Sequence, residues 1–431
     1  MDPMFSPALH RQRHEFVIDF VRSYKPKKVV DLGCSECSLL KQLKFHLEIE
    51  LLAGVDIDGA ILKKKMCGLA PLSTDYLQPR NDQLRIDLYQ GSVTQKDARL
   101  IGFDLVTSIE LIEHLTLADV KLFSEVVFGY MTPVAVIVST PNADFNPLFR
   151  RMSGFRHSDH KFEWSRAEFK SWALKVCLDY GYEVEFSGVG QAPPGYQENV
   201  GFCSQIGVFH RLGVSEVCNT LCSTDAEDVS SYTLLYSKIF PSLRDNNILR
   251  RVLASEVLYW AEKLGRRWVE EKTGVKDDAD TPDQAGGDGE ERHRAPENPL
   301  QLEEKQTAAC GAAMKSLVEH QEVGKLDREL FWTDGGGQQE SRKLGRCVSV
   351  PLFVLWGCCP KICTLSGSLS NLRQLLMDNA KVKLTQDGSA LLLNLDEQDE
   401  EDHDDFEDSG YADAMRCPHS VEPEEDWDAN V

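Results

Sequence analysis

Between residues 27 and 211 short apolar runs alternate with stretches of helical spacing. KKVVDLG (27–33), ELLAGVDID (50–58), LRIDLYQGSV (84–93), FDLVTSI (103–109) and VAVIVSTPN (134–142) read as five strands. SLLKQLKFH (38–46) reads as the helix after the first of them. This alternation is the pattern of βαβ units and a parallel sheet. In SRAEFKSWALKVCLDYG (165–181), Phe169, Trp172, Ala173, Val176 and Cys177 fall at helical spacing, followed by Tyr180 and a terminating Gly181. YEVEFSGVG (182–190) and CSQIGVFHR (203–211) resemble a closing antiparallel pair. The sum is an α/β domain over 1–212 with a seven-strand, mostly parallel sheet.

Beyond 212 the periodicity weakens. Residues 213–275, with SEVLYWAEKLGRRWVEE (255–271), suggest a helical appendage. Residues 276–306 are charged and rich in proline and glycine, the composition of a disordered linker. Residues 307–395 regain some hydrophobicity and are expected to be weakly structured or to fold on a partner. From Asp396 to Asp408 ten of thirteen residues are acidic, so 396–431 reads as a solvated, disordered tail. The C-terminal half is therefore expected to be poorly defined, partly disordered and dispensable for chemistry.

Charge changes the picture only once it is located. The net charge of −22 looks hostile to nucleic acid. Residues 1–212, however, carry 24 Lys/Arg against 26 Asp/Glu, and the remaining 23 against 43 lie in the second half. A polyanion is therefore able to dock on the first half. No run approaches the ~18 apolar residues of a membrane helix, and the N-terminus has no apolar signal core. The thirteen cysteines read as reduced thiols, and Cys34 and Cys37 lack the second pair a zinc site needs. These features point to a cytoplasmic protein.

Two constellations carry chemistry. Asp31-Leu-Gly33-Cys-Ser35-Glu-Cys-Ser38 follows the first strand, where a glycine lets backbone approach a ligand at the carboxyl end of an open sheet. Asp56 ends the second strand, where a carboxylate is able to accept both hydroxyls of a cofactor ribose, and Gly91-Ser92 follows the third, where an adenine would lie. The G-x-G-x-x-G of dinucleotide enzymes is absent. The D-x-G turn with an acid ending strand two resembles instead the class I S-adenosylmethionine methyltransferases, a Rossmann-like fold. Ser35 stands where that class usually has a second glycine.

The second constellation is Glu110-Leu-Ile-Glu113-His114 after strand four. Spacings of three and four would turn all three polar side chains to one side of a helical turn. Two carboxylates and an imidazole suit a divalent cation, although metal-free methyltransferases also carry E-H-L there. Phe155-Arg-His-Ser-Asp159-His160-Lys-Phe162-Glu-Trp164 returns a histidine to the same rim, with Asp159 as a candidate to orient its ring. Arg150, Arg151, Arg156, His157 and Lys161 form a basic rim for terminal phosphates.

E-L-I-E-H-L, D-H-K-F-E-W-S-R-x-E-F and S-T-P-N-A-D-F-N-P-L-F (139–149) together resemble the Hen family of small-RNA 2′-O-methyltransferases over roughly residues 10–212. The resemblance implies metal ligands, hence catalytic residues, at Glu110, Glu113, His114 and His160. It implies cofactor contacts at Ser38, Asp56 and Ser92, beside the Asp31-Leu-Gly33 turn. It implies S-adenosyl-L-methionine as methyl donor and Mg²⁺ as metal, with Mn²⁺ or Co²⁺ as alternatives favoured by two imidazoles. The chain looks like the short animal form, which acts on the 3′ ends of single-stranded piRNAs held by PIWI-family Argonaute proteins. The implied setting is the cytoplasm, including perinuclear RNA granules, with no membrane. A cation would lower the pKa of the terminal ribose 2′-hydroxyl, and needing both 2′ and 3′ hydroxyls would confine reaction to the terminus. A quinol-type small-molecule O-methyltransferase would share the cofactor motifs and E-H-L but would not need His160. A non-enzymatic adaptor would not need the ligand quartet.

Overall fold

The computed structural model describes residues 5–149, 154–213, 230–273 and 347–394. The described residues fall into two compact units that part between Leu243 and Arg244.

The first unit is built on an eight-stranded sheet. Its strands are β1 (Lys28–Leu32), β2 (Leu51–Asp56), β3 (Arg85–Gln90), β4 (Leu105–Ile109), β5 (Ala135–Pro141), β6 (Tyr182–Gln191), β7 (Phe202–Arg211) and β8 (Thr233–Ile239), in the order β6-β7-β5-β4-β1-β2-β3-β8. The five strands from β3 through β5 pair in parallel; β7 runs antiparallel to β5 and β6, as expected of the closing pair. Alternate residues feed two apolar cores. Val30, Leu32, Val136 and Val138 join one, while Val29, Ala135 and Ile137 join the other. Helices α1 (Leu9–Tyr24) and α2 (Ser38–Leu43) close the second core with Val17, Val21, Leu39, Leu40 and Leu43.

Helices α3 (Gly59–Lys65), α4 (Ser73–Leu77), α5 (Leu117–Ser124), α6 (Arg166–Tyr180) and α7 (Gln197–Val200) complete the unit. The limits of α6 follow from local chemistry. Ser165 Oγ accepts from Glu168 N–H while the Glu168 carboxylate accepts from Ser165 N–H, and Gly181 leaves the helix at φ 75°.

β8 departs from the sequence reading of 213–275 as a helical appendage. It pairs antiparallel with β3 over Arg85–Gln90, and Tyr232 and Phe240 at its ends are buried in the two cores. The first unit therefore does not end at 212. An exposed β3 edge would leave a row of unpaired backbone groups, which β8 satisfies.

The second unit contains α8 (Asn246–Thr273), β9 (Cys347–Pro351), α9 (Leu352–Cys358), α10 (Pro360–Ser366), α11 (Leu369–Met377) and β10 (Ala390–Asn394). β9 and β10 form an antiparallel pair. Leu253, Val257, Ala261, Val348, Val350, Leu355, Ile362, Leu372 and Leu391 share one buried core. The weak structure expected over 307–395 thus gives way, in the part described, to a packed unit. Its apolar positions are split between α8 and a segment more than seventy residues later, so neither half shows a complete pattern alone. The expected linker (276–306) and acidic tail (396–431) lie outside the described residues.

Candidate active site

The carboxyl ends of β1, β2 and β3 are tied together by the chain that leaves them. Gly33 N–H and Cys34 N–H donate to Val55 O at 2.8 and 3.1 Å, and Gly91 N–H donates to Asp56 O at 3.0 Å. Gly33 sits at φ 77°, and a Cβ there would come within 2.7 Å of Leu111 Cδ1, so the turn packs on the E-L-I-E-H-L segment. Ser35 and Cys37 also take positive φ, 42° and 61°. A side chain at Ser35 is strained there, which is the physical reason to expect glycine. The strain is held by Asp56: its Oδ2 accepts Ser35 N–H at 2.8 Å and its Oδ1 accepts Asp58 N–H at 2.8 Å.

Asp31 is 5 % exposed and accepts Thr107 Oγ–H at 2.7 Å. Burial pushes its carboxyl up to about 7, against the pull of the Thr107 bond, and the Asp56 charge adds to the rise. Ser38 opens α2 and lines a cavity of about 390 Å³ with His10, Arg11, His14 and Gln42. Ser92 Oγ lies 2.8 Å from Thr94 Oγ1. Tyr232, from beyond the expected domain end, holds this turn: its hydroxyl lies 3.0 Å from both Ser92 O and Gln95 O. Its ring packs so closely that a Cβ on Gly91 would meet it at 2.1 Å. Glycine at 91 is therefore required by tyrosine at 232.

The second constellation forms at the ends of β4 and β5, and its local geometry differs from the expected helical turn. Glu110 has φ 51° and stands outside the single 3₁₀ turn Ile112–His114. Glu110 Oε1 accepts from Ser139 Oγ at 2.9 Å and Ser204 Oγ at 2.6 Å, and Oε2 lies 3.4 Å from Arg13 Nη1 of α1. Glu113 is fully buried. Its Oε2 accepts from Thr140 Oγ at 2.9 Å, and its Oε1 has no hydrogen-bond partner. Burial, and then the Glu110 charge, push the Glu113 carboxyl well above the ordinary range.

His114 and His160 come together with ring centroids 4.9 Å apart. The loop bearing His160 is anchored by Lys161 N–H donating to Glu113 O at 2.7 Å. His160 Nδ1 lies 2.6 Å from Glu163 Oε1, with the two side chains 7 % and 1 % exposed. Burial opposes ionisation of Glu163, but its bonds to His160, Asn146 and Arg156 N–H outweigh burial and hold its carboxyl below the usual value. An ionised Glu163 keeps the proton on Nδ1 and leaves the Nε2 lone pair for a ligand. Glu163, rather than the expected Asp159, orients the ring. Burial lowers the His114 pKa, and His160 and His157 lower it further, so this imidazole also keeps its lone pair.

Among the described residues the ligand atoms of His114, His157 and His160 all lie within 4.8 Å of one another. Glu110 and Glu113 adjoin this cluster in sequence without joining it at that spacing. Of the expected quartet, His114 and His160 come together, and His157 joins them in place of the two carboxylates. The basic rim is thinner than expected. Arg156 points inward, bonding to Asn146 Oδ1, Cys203 O and Asn142 O and lying over Phe149, so it serves the loop rather than phosphates. Lys161 is exposed; Arg150 and Arg151 lie outside the described residues.

Sequence reasoning missed Arg13, Thr140, Glu163 and Tyr232. Glu163 had a signal, sitting three residues after His160 in the same motif. Tyr232 had none, because its partners Ser92 and Gln95 are more than 130 residues away.

Residues 247–395 match the HENMT1 C-terminal domain family. A small RNA 2′-O-methyltransferase of Xenopus tropicalis is 40 % identical over 397 residues, covering 91 % of this chain and 97 % of the relative. One from Gallus gallus is 39 % identical over 397 residues, covering 92 % and 96 %. A crystal structure of small RNA methyltransferase HEN1 is 31 % identical over 55 % of this chain and 28 % of that one, with a TM-score of 0.44.

Proposed function

Because this chain belongs to the family of small RNA 2′-O-methyltransferases, and is thus a methyltransferase, we propose that it methylates the 2′-hydroxyl of the 3′-terminal ribose of single-stranded small RNAs, using S-adenosyl-L-methionine and a divalent metal. The observation that carries the metal reading is Glu113: a fully buried carboxylate with an orphaned Oε1, next to His114 in the same 3₁₀ turn and tied through its carbonyl to the His160 loop. A buried carboxylate oxygen without a donor calls for a cation. Glu110, Glu113, His114 and His160 are the residues that fit one, with Mg²⁺, Mn²⁺ or Co²⁺ suited to a mixed oxygen and nitrogen set.

When bound, the metal supplies acidity to a ribose hydroxyl, and the donor supplies a methyl group on a sulfonium. The chain's own residues do the positioning. Asp56 already gathers two N–H donors at the end of β2 and stands ready for the hydroxyls of the donor ribose. Glu163 fixes the tautomer of His160, and Ser139, Ser204 and Arg13 fix the Glu110 carboxylate. Leu111 joins the two halves by packing against Gly33. Recognition of adjacent 2′ and 3′ hydroxyls restricts the reaction to a free 3′ end.

The biological substrates in this reading are piRNAs carried by PIWI-family Argonaute proteins in the cytoplasm and its perinuclear granules. Likeness to the short animal form supports this, and co-precipitation of the chain with PIWI proteins from germ cells tests it; absence of both protein and piRNA from the precipitate would count against it. The chemistry is tested by mass spectrometry of short RNAs ending in a 2′,3′-diol, a 2′-deoxyribose or a 3′-phosphate. Only the diol end should gain a methyl group, and only without EDTA. Methylation of a 2′-deoxy end, or full activity in EDTA, would refute the proposal.

A further inference from the structure

The C-x-x-C of Cys34 and Cys37 takes no part in the reaction described above, yet it lies inside the donor turn. Such a pair is a metal or a redox motif. Among the described residues neither cysteine belongs to a group of three or more side chains able to hold a metal ion, and redox chemistry remains. The turn brings the pair together. Cys37 N–H donates to Cys34 O at 2.7 Å, which closes a four-residue turn. The ends of such a turn stand less than about 7 Å apart between Cα atoms, and a disulfide spans about 4.4–6.8 Å. Both side chains are buried in the core that β2 and α2 share, and a hydrogen bond joins the two thiols. Cys34 Sγ is backed by β2, so closely that a Cβ on Gly54 would meet it at 2.8 Å.

The turn is strained and tied directly to the donor residues. Ser35 and Cys37 take φ 42° and 61°, a region that side chains rarely adopt, and such strain collects at switch segments. Ser35 N–H donates to Asp56 Oδ2 at 2.8 Å, and Cys37 Sγ–H donates to Ser35 O at 3.7 Å. A disulfide removes the second of these bonds, because its sulfurs carry no hydrogen. It also draws the two sulfurs to about 2.05 Å. With Cys34 Sγ set against β2, the movement falls on Cys37 and Ser35, and Ser35 N–H is pulled from the Asp56 carboxylate.

We propose that Cys34 and Cys37 form a redox switch of the donor site: hydrogen peroxide joins them in a disulfide that releases the donor, and a dithiol reductant restores it. The inference rests on the placement of S-adenosyl-L-methionine at this turn and adds its regulation. Oxidation begins at Cys37, because the hydrogen bond to Cys37 and then burial hold the proton on Cys34. The Cys37 thiol loses its proton and its sulfur attacks one peroxide oxygen; the O–O bond breaks, and the leaving hydroxide takes up that proton as water. The Cys34 sulfur then attacks the sulfenic sulfur of Cys37. The S–O bond breaks, and the departing hydroxide leaves with the Cys34 proton as a second water. The thiols give up two electrons and two protons, and the peroxide receives both. Cys34 and Cys37 are 5 % and 0 % exposed, so the first step waits on opening of the turn. A donor seated on Asp56 and the turn opposes that opening and should protect the pair.

The test uses the full chain, exposed to hydrogen peroxide with and without S-adenosylmethionine. Trypsin releases Val29–Lys41, which holds both cysteines and no other, and mass spectrometry reads its state. The peptide should lose two hydrogens, and more slowly with the donor present. By calorimetry the oxidised chain should bind S-adenosylmethionine at least about tenfold more weakly, with full recovery in dithiothreitol. Cys34→Ser cannot close the disulfide, so its affinity, whatever its starting value, should be equal before and after peroxide. The same reversible loss in Cys34→Ser would assign the effect to another thiol and overturn the pair. A Val29–Lys41 peptide that stays reduced, a disulfide to any other cysteine, a disulfide with unchanged donor affinity, or a loss that dithiothreitol does not reverse would each overturn the switch. No donor binding by the untreated chain would remove the donor reading itself, and this inference with it.

Discussion

Replacing Glu113 with glutamine should move the stability of the metal-free and metal-loaded protein in opposite directions. Glu113 is fully buried, with one oxygen bonded to Thr140 and the other orphaned. Its folded pKa lies well above the ordinary value of 4.5, because burial and the Glu110 charge disfavour ionisation. A raised folded pKa means that at low pH both folded and unfolded chains hold the proton and no penalty exists. As pH climbs past 4.5 the unfolded chain ionises first, and the folded state loses stability until its own pKa is passed. Glutamine cannot ionise, so Glu113→Gln escapes that loss. An orphaned buried polar group costs about 1–3 kcal/mol, more when charged. For a unit of this size the metal-free variant should melt roughly 2–10 °C above the parent at pH 8. Excess cation reverses the order, since at a hundredfold excess over Kd it stabilises the parent by about 2.7 kcal/mol and the variant far less. Methylation by the variant should fall at least about a hundredfold. Thermal melts in EDTA and in Co²⁺, at pH 5 and pH 8, read all of this. A variant that melts no higher than the parent in EDTA at pH 8, or one stabilised equally by metal, would refute the reasoning.

Tyr232→Phe removes the hydroxyl that holds the Ser92–Gln95 turn, a loss of about 1 kcal/mol that should weaken S-adenosylmethionine binding roughly fivefold in calorimetry; an unchanged Kd would detach this residue from the donor site. A chain ending after Leu212 loses β8 and Tyr232, so it should be less soluble and unable to bind the donor, contrary to the dispensability read from sequence; native circular dichroism with full activity would restore that reading. Asp56→Ala frees Ser35 N–H and Asp58 N–H as well as removing a ribose acceptor, and donor affinity should fall at least about tenfold by titration calorimetry. Asp31, moved from 3.8 to about 7, keeps its proton when folded, so between those pH values the folded protein loses stability, by about 4 kcal/mol in full. Asp31→Asn should flatten that part of the stability–pH curve in urea melts, and a curve of unchanged slope would place the proton elsewhere.

The sequence by itself determined the elements whose cause is local. Five strands and α6 follow from apolar periodicity, with Ser165, Glu168 and Gly181 setting the ends of α6. The Asp31–Ser38 turn and the segments bearing Glu110, Glu113, His114 and His160 stood out in the sequence as candidates because residue type and spacing carry their chemistry in short motifs. Tertiary structure alone decided what depends on distant partners. β8 lies in a stretch where strand-like pieces were legible but not their place, which the pairing with the open edge of β3 decides. The second unit looked weak because its core is divided between α8 and residues 347–394. Glu110 sits outside a helical turn at φ 51° because Ser139 and Ser204 draw its carboxylate toward β5 and β7. Arg156 looked free for phosphates, yet three backbone and side-chain acceptors claim it. Side chains make their strongest bonds across segments far apart in the chain, and those pairings leave no periodicity to read.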